Sequence, residues 1–265
     1  MILNRIGNKK VIAKELIKYF PKHDIYIEGF FGAGGLFFNK ELAKKSILND
    51  LDDKVFNLYQ VVLNHKEEFK QQIEDLLLHG SLFEYWKKNK EQDPIKKAVR
   101  FIFLSNFSFM GKMDCFSLKC NTSFHNKENI INMLDQTYNK LKKCYFHNKD
   151  IVKFLNALPL KGKLNKYKDK SFIYLDPPYI ETSNNYNQDK FTKEKFIEML
   201  ETVINMNVKF AISEFNNQFV IDECKLRELN IINVCTRINQ QNKSNVEELL
   251  ITNYDVTEIK QESLF

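Results

Sequence analysis

Apolar residues recur at two periods along this chain, and the alternation between them sets out the fold. From Val11 to Phe20, Ile12, Leu16, Tyr19 and Phe20 fall near helical spacing, with Lys14 and Lys18 turned outward and Pro21 as a stop. Ile25-Tyr26-Ile27-Glu28 is a short β-prone run that enters Phe30-Phe31-Gly32-Ala33-Gly34-Gly35. The pattern then predicts a helix over Leu36–Lys45, a strand Ser46–Asn49 ending at Asp50, and a helix from Asp53 to Leu63. Strand, Gly-rich turn, helix, strand, helix is the opening of an α/β fold with a parallel sheet.

From Asn64 to Lys143 the texture changes. Helical spacing surrounds Phe69–Leu78 and Pro94–Leu104, a polar-aromatic stretch without a period fills Ser105–Asn126, and Asn129–Lys142 is helical again. This segment reads as an insertion, so residues 1–63 and 144–265 form one core and 64–143 a second, mainly helical unit. Strand signals resume at Cys144-Tyr145-Phe146-His147, leading to Asp150. Lys161–Lys170 is a basic loop, and Ser171-Phe172-Ile173-Tyr174-Leu175 is a buried-type strand that stops at Asp176-Pro177-Pro178-Tyr179. A helix over Lys193–Met206, a strand over Val208–Ser213 and a closing hairpin of Asn230–Asn239 and Glu247–Tyr254 complete the chain.

Composition narrows the class. The 265 residues carry 40 Lys and Arg against 34 Asp and Glu, a formal charge of +6 that permits a polyanionic partner without requiring one. The five cysteines, Cys115, Cys120, Cys144, Cys224 and Cys235, include no C-x-x-C pair. A disulfide framework and a zinc site are therefore not expected, and a reducing cytoplasm is. The first residues, MILNRIGNKK, lack the apolar core of a signal peptide, and no apolar run approaches the roughly 18–20 residues of a membrane span.

The chemistry concentrates at strand ends, where open α/β sheets bind ligands. Two prolines after Asp176 fix φ and remove two N–H donors, leaving a rigid row of acceptors, the carboxylate and a proline carbonyl. Such a row suits an amino group, whose two N–H bonds it can hold. An amino group on an aromatic ring is a poor nucleophile because its lone pair is delocalised; holding both N–H bonds favours a tetrahedral nitrogen. Tyr179 offers a flat face for a planar base. The Gly32–Gly35 turn reads equally as a tight turn and as a ligand loop, since Phe37 replaces the third glycine of the dinucleotide fingerprint. Asp50 alone reads as a solvated strand end. Together, the turn, Asp50 and Asp176 share one sheet edge.

Taken in this order, the motifs resemble those of Dam-type N6-adenine DNA methyltransferases, over nearly the whole chain. Arg5-Ile6-Gly7-Asn8-Lys9 is similar to the family's opening motif and Ile27-Glu28-Gly29-Phe30-Phe31-Gly32-Ala33-Gly34 to its S-adenosylmethionine loop. Asn49-Asp50 resembles the ribose-binding acid, Asp176-Pro177-Pro178-Tyr179 the catalytic loop, and Glu247–Tyr254 the closing hairpin. The resemblance implies a Rossmann-like methyltransferase fold, a mostly parallel seven-stranded sheet with a C-terminal antiparallel hairpin, with 64–143 as target-recognition insertion. It implies that Arg5, Gly7, Lys9, Glu28, Phe30, Gly32, Gly34, Asp50 and Asp176 surround S-adenosylmethionine. Arg5 stands where the family usually has an aromatic, which leaves a backbone contact as the role that transfers. Asp150 is open between the cofactor's adenine amino group and a helix N-cap. No metal is implied.

The implied reaction is in-line transfer of the sulfonium methyl to the N6 amine of an adenine flipped from duplex DNA. In the insertion, Arg100, Asn106, Lys112, Lys119, Asn121 and Asn126 have side chains able to meet phosphates or base edges. In the basic loop, Lys161, Lys163, Lys166, Lys168 and Lys170 read first as a solvated surface and second as phosphate contacts. A cognate restriction endonuclease is a partner compatible with the family, and a monomer is expected. Rival readings are N4-cytosine methylation, methylation of RNA or protein, and a non-catalytic DNA-binding relative. Asp at position 176 and the motif order favour adenine.

Overall fold

The structure is a computed structural model that describes residues 1–117, 123–160, 162–180, 191–238, 245–257 and 259. Seven strands form one sheet: β1 (Ile25–Glu28), β2 (Lys45–Asn49), β3 (Cys144–His147), β4 (Ser171–Leu175), β5 (Lys209–Phe215), β6 (Asn230–Ile238) and β7 (Asn245–Thr252). Their order is β3-β2-β1-β4-β5-β7-β6. The first five run parallel, and β7 enters antiparallel between β5 and β6. This is the expected Rossmann-like methyltransferase sheet with its antiparallel closing hairpin.

Strand direction collects the site. The carboxyl ends of β1, β2, β3, β4 and β5 reach one edge, and β7, running the other way, begins there, with Phe215 paired to Glu248. Alternation along the strands splits the core in two. Tyr26, Phe172, Tyr174, Ala211 and Leu250 join one apolar cluster, and Ile27, Ile173, Leu175, Ile212 and Ile251 the other. Both faces are covered, so all five residues of β4 are buried, which is why it reads as an unbroken apolar run.

One face carries α1 (Ala13–Ile17), α2 (Asp53–Asn64), α3 (Lys66–Glu74), α4 (Gly80–Lys88), α5 (Pro94–Asn106) and α6 (Ser123–Leu141). The other carries α7 (Ile151–Ala157), α8 (Lys193–Asn205) and α9 (Gln218–Leu226). Segment 64–143 supplies α3 to α6 and, among the described residues, no strand of the sheet. Phe69, Phe83, Trp86, Ile102 and Phe103 from it continue the same apolar cluster that holds Tyr26 and Phe172. Asp93 caps α5 through the Lys96 N–H at 2.8 Å, with Pro94 opening the helix where its missing donor costs nothing.

Three expectations from periodicity change. The helix predicted over Leu36–Lys45 is a single 3₁₀ turn, Phe37–Asn39, and Lys45 already belongs to β2. Lys140 from α6 donates to the carbonyls of Phe38 and Lys40 at 2.9 and 3.0 Å. Those carbonyls have partners without a helix, and Lys40 turns inward, its ammonium 4.1 Å from the centre of the Tyr26 ring. The first helix is also shorter, Ala13–Ile17, behind a 3₁₀ turn at Lys9–Val11 capped by Asn8. Finally, α4 and α9 form where periodicity had marked no helix.

Candidate active site

The Gly-rich turn after β1 is held from below. Asn49, at the end of β2, donates through its amide to Gly29 O at 3.1 Å and Lys149 O at 2.9 Å and accepts from Lys149 N at 3.0 Å. One side chain thus pins the ends of β1, β2 and β3 together. Gly34 has φ +71°, and a Cβ there would lie 2.6 Å from the Phe31 and Phe38 rings. Gly32 has φ +53°, yet a Cβ there would meet nothing within 4 Å. The turn therefore offers bare backbone to open space at Gly32, while Gly34 is packed shut.

Asp50 organises that turn. Its Oδ2 accepts from Gly32 N at 2.5 Å and its Oδ1 from Asp52 N at 2.8 Å. Burial raises its pKa above the usual carboxylate range, against the opposing pull of Arg5 and these two N–H groups. Arg5 pairs with Asp52 at 2.9 Å, so the arginine side chain works through the acid loop. Gly7 lies in the turn that carries the chain from Arg5 to Asn8. Phe30 stands edge-on to Phe191, with ring centres 5.8 Å apart. Glu28 is 2% exposed and accepts from the Tyr26 hydroxyl at 2.8 Å; burial pushes its carboxyl up to about 8.

At the end of β4, Asp176 Oδ1 accepts from the Lys9 ammonium at 2.6 Å. Lys9, itself 4% exposed, also donates to the Tyr179 hydroxyl and lies 3.4 Å from Glu248 Oε1. The Tyr179 hydroxyl donates to Glu248 Oε1 at 2.7 Å, and its ring packs against Phe215 with centres 4.0 Å apart. Glu214 is fully buried; its Oε1 accepts from Phe215 N at 2.9 Å, and its Oε2 has no hydrogen-bond partner among the described residues. Burial pushes Glu214 up to about 8 and Asp176 up to about 6, the latter held down by Lys9 and raised by Glu248. The edge is thus rich in buried carboxyl groups, with Lys9 and Arg5 among them. That balance favours a cationic ligand.

This edge, with its acid-prolines after a central strand, is where the comparisons with known proteins bear. A family model described as D12 class N6 adenine-specific DNA methyltransferase matches residues 6–232. The chain belongs to that family. The DNA adenine methylase of Escherichia coli K12 is 24% identical, over 92% of this chain and 91% of its own. The type II methyltransferase M1.LlaDCHI of Lactococcus lactis is 23% identical, over 94% of this chain and 93% of its own. The modification methylase StsI of Streptococcus sanguinis is 24% identical over 96% of this chain but only 42% of its own length.

Asp176, Pro177, Pro178, Tyr179, Lys9, Arg5, Gly32 and Asp50 gather at one edge. Asp150 lies at the same edge as the N-cap of α7, accepting from Val152 N at 3.1 Å and Lys153 N at 3.4 Å. Burial works to raise its carboxyl, but the Lys195 ammonium beside it and these N–H groups hold it below the usual range. In the insertion, Asn106 spends its amide on Ile2 O at 3.1 Å and Ile102 O at 3.2 Å. Lys112 is half-buried after the 3₁₀ turn at Phe109–Gly111, and the Arg100 Nε donates to Trp86 O at 2.7 Å. Lys166 and Lys168 precede β4 and so stand at the opposite edge from Asp176, across a strand of roughly 17 Å. The topology therefore takes the basic loop away from the site. Lys119, Asn121 and Lys161 lie outside the described residues.

Sequence reasoning missed Glu214, Glu248 and Phe215 as members of this site. Their signal was faint: one acid embedded in AISEF and an adjacent pair, Glu247 and Glu248, in NVEELLIT. Only the antiparallel entry of β7 beside β5 brings Glu248, opposite Phe215, to this edge. Among the described residues, no helix is long and apolar enough to cross a membrane.

Proposed function

We propose that this methyltransferase uses S-adenosylmethionine as donor and the N6 amine of a flipped adenine in duplex DNA as acceptor, with Asp176 holding the amine. The observation that carries the residue assignment is the Asp176 carboxylate, fixed by Lys9 at 2.6 Å at the end of β4, directly before Pro177 and Pro178.

The residues present fit the donor. Open space lies before the Gly32 backbone, and buried acids outnumber the cations around it. When bound, the donor supplies an electrophilic methyl group on a positive sulfonium. Gly32 would meet it through backbone, Asp50 would hold the turn and face the ribose, and Phe30 would wall the adenine side. The carboxylates of Asp176 and Glu248 would favour the positive charge. Asp176 would accept one N–H of the target amine through the oxygen that Lys9 leaves free, and a proline carbonyl the other. Tyr179, its hydroxyl tied to Lys9 and Glu248, would present a fixed ring to the base.

The test is transfer of a labelled methyl group to unmethylated duplex DNA, followed by digestion to nucleosides. Label in N6-methyladenine, lost in Asp176→Ala, is expected. Label in N4-methylcytosine, or full activity in that variant, would overturn the assignment. A cognate restriction endonuclease rests on the type II name of the L. lactis relative; an endonuclease cutting only DNA unprotected by this protein would reveal it.

A further inference from the structure

Residues 2–9 touch three parts of the molecule in succession. Ile2 and Leu3 are each 1% exposed and join the cluster that contains α5. The Ser105 hydroxyl, at the end of α5, donates to Asn4 O, and Asn106 donates to Ile2 O at 3.1 Å. Gly111, just beyond, runs so close that a Cβ there would lie 3.1 Å from Asn4 O and 3.4 Å from Arg5 Cα. The next residue, Arg5, pairs with Asp52, whose N–H is bound by Asp50, the acid that holds Gly32. Four residues later, Lys9 reaches Asp176.

We propose that residues 2–9 are a strap that couples DNA held by the inserted helices to cofactor binding, with Ser105 a positioning residue that acts through Arg5 and Lys9. This rests on the reading of the chain as a duplex-DNA methyltransferase with its DNA on the insertion. The strap has little slack. Its first residues are buried against α5, and a shift of α5 along the sheet moves the main chain at Asn4. Arg5 is covalently next, so the shift reaches the Arg5–Asp52 pair and, through Asp50, the Gly32 N–H. The same shift reaches Asp176 through Lys9. Coupling between two binding sites is reciprocal, so the cofactor also tightens DNA.

The test is calorimetric binding of S-adenosylhomocysteine to the full chain, alone and with saturating unmethylated duplex DNA. Wild type should bind it about fivefold or more tighter with DNA present. Ser105→Ala removes the hydroxyl, and Gly111→Ala presses on Asn4 and Arg5 from the insertion side. Each should keep its DNA-free affinity within about threefold and lose most of the DNA-induced gain. A gain preserved in both variants, or none in wild type, overturns the strap. Gly111 stands at φ +73°, where an alanine is strained; should Gly111→Ala fail to fold, Ser105→Ala decides. Adenine methylation by wild type is measured on the same DNA; methylation with uncoupled binding rejects the strap and leaves the proposed function standing.

Discussion

Lys9 and Asp176 stand 167 positions apart in the chain and 2.6 Å apart in space. Lys9 is also 3.4 Å from Glu248, so one buried ammonium faces two carboxyl groups. Removing either partner of a buried pair strands the other, which costs far more than the pair contributes over a well-packed apolar replacement.

Lys9→Met should therefore lower stability by about 3 kcal/mol in urea unfolding near pH 8. The loss should shrink toward pH 5. Asp176 titrates at about 6, so at pH 5 it is mostly neutral and needs the ammonium less. A loss independent of pH would show that Lys9 contributes by packing alone.

The transfer rate should carry the same signature. An amine is held by the ionised form of Asp176, so kcat/KM for methylation should rise with pH through a limb centred at about 6. Lys9 holds that value down, so Lys9→Met should move the limb to higher pH, whatever it does to the maximum. A limb that stays in place would separate Lys9 from the ionisation of Asp176.

Much of this was legible before the structure, because the residues concerned end strands. A run such as SFIYL followed by Asp-Pro-Pro signals a buried strand and its ligand edge from local pattern alone. Asp50 and the Gly32 turn follow from the same rule. Contacts made by long-range topology were not legible. Glu248 reaches Lys9 and Tyr179 because β7 enters antiparallel, and Lys9 meets Asp176 because the amino-terminal segment crosses the sheet edge. The failed helix at Leu36–Lys45 has the same origin, since Lys140, a hundred residues on, takes carbonyls that local pattern assigned to a helix.

Asp50→Asn tests the loop. Both oxygens of Asp50 accept backbone N–H groups, and an amide can offer only one acceptor. The other N–H would face an NH2. A lost charge-assisted bond is worth about 1.5–3 kcal/mol. Urea unfolding should show that loss, and S-adenosylhomocysteine binding should weaken by roughly one to two powers of ten as the Gly32 turn it meets loosens. Unchanged affinity by calorimetry would remove Asp50 from the cofactor site.

Glu214→Gln gives a stability difference with a defined sign. The buried carboxyl titrates at about 8 when folded, against 4.5 for an exposed glutamate. Between those values the folded chain keeps a proton that the unfolded chain has lost, so stability falls as pH rises, by about 1.4 kcal/mol per unit from a single group. Glutamine does not titrate. The variant should therefore gain on wild type from about pH 4.5 to 8, and the gap should level off outside that window. Glu28 shifts in the same direction but is present in both proteins, so it cancels in the difference. Melting curves at pH 5, 6.5 and 8.5 decide the matter. A difference that stays flat across them would mean that Oε2 finds a compensating partner in solution.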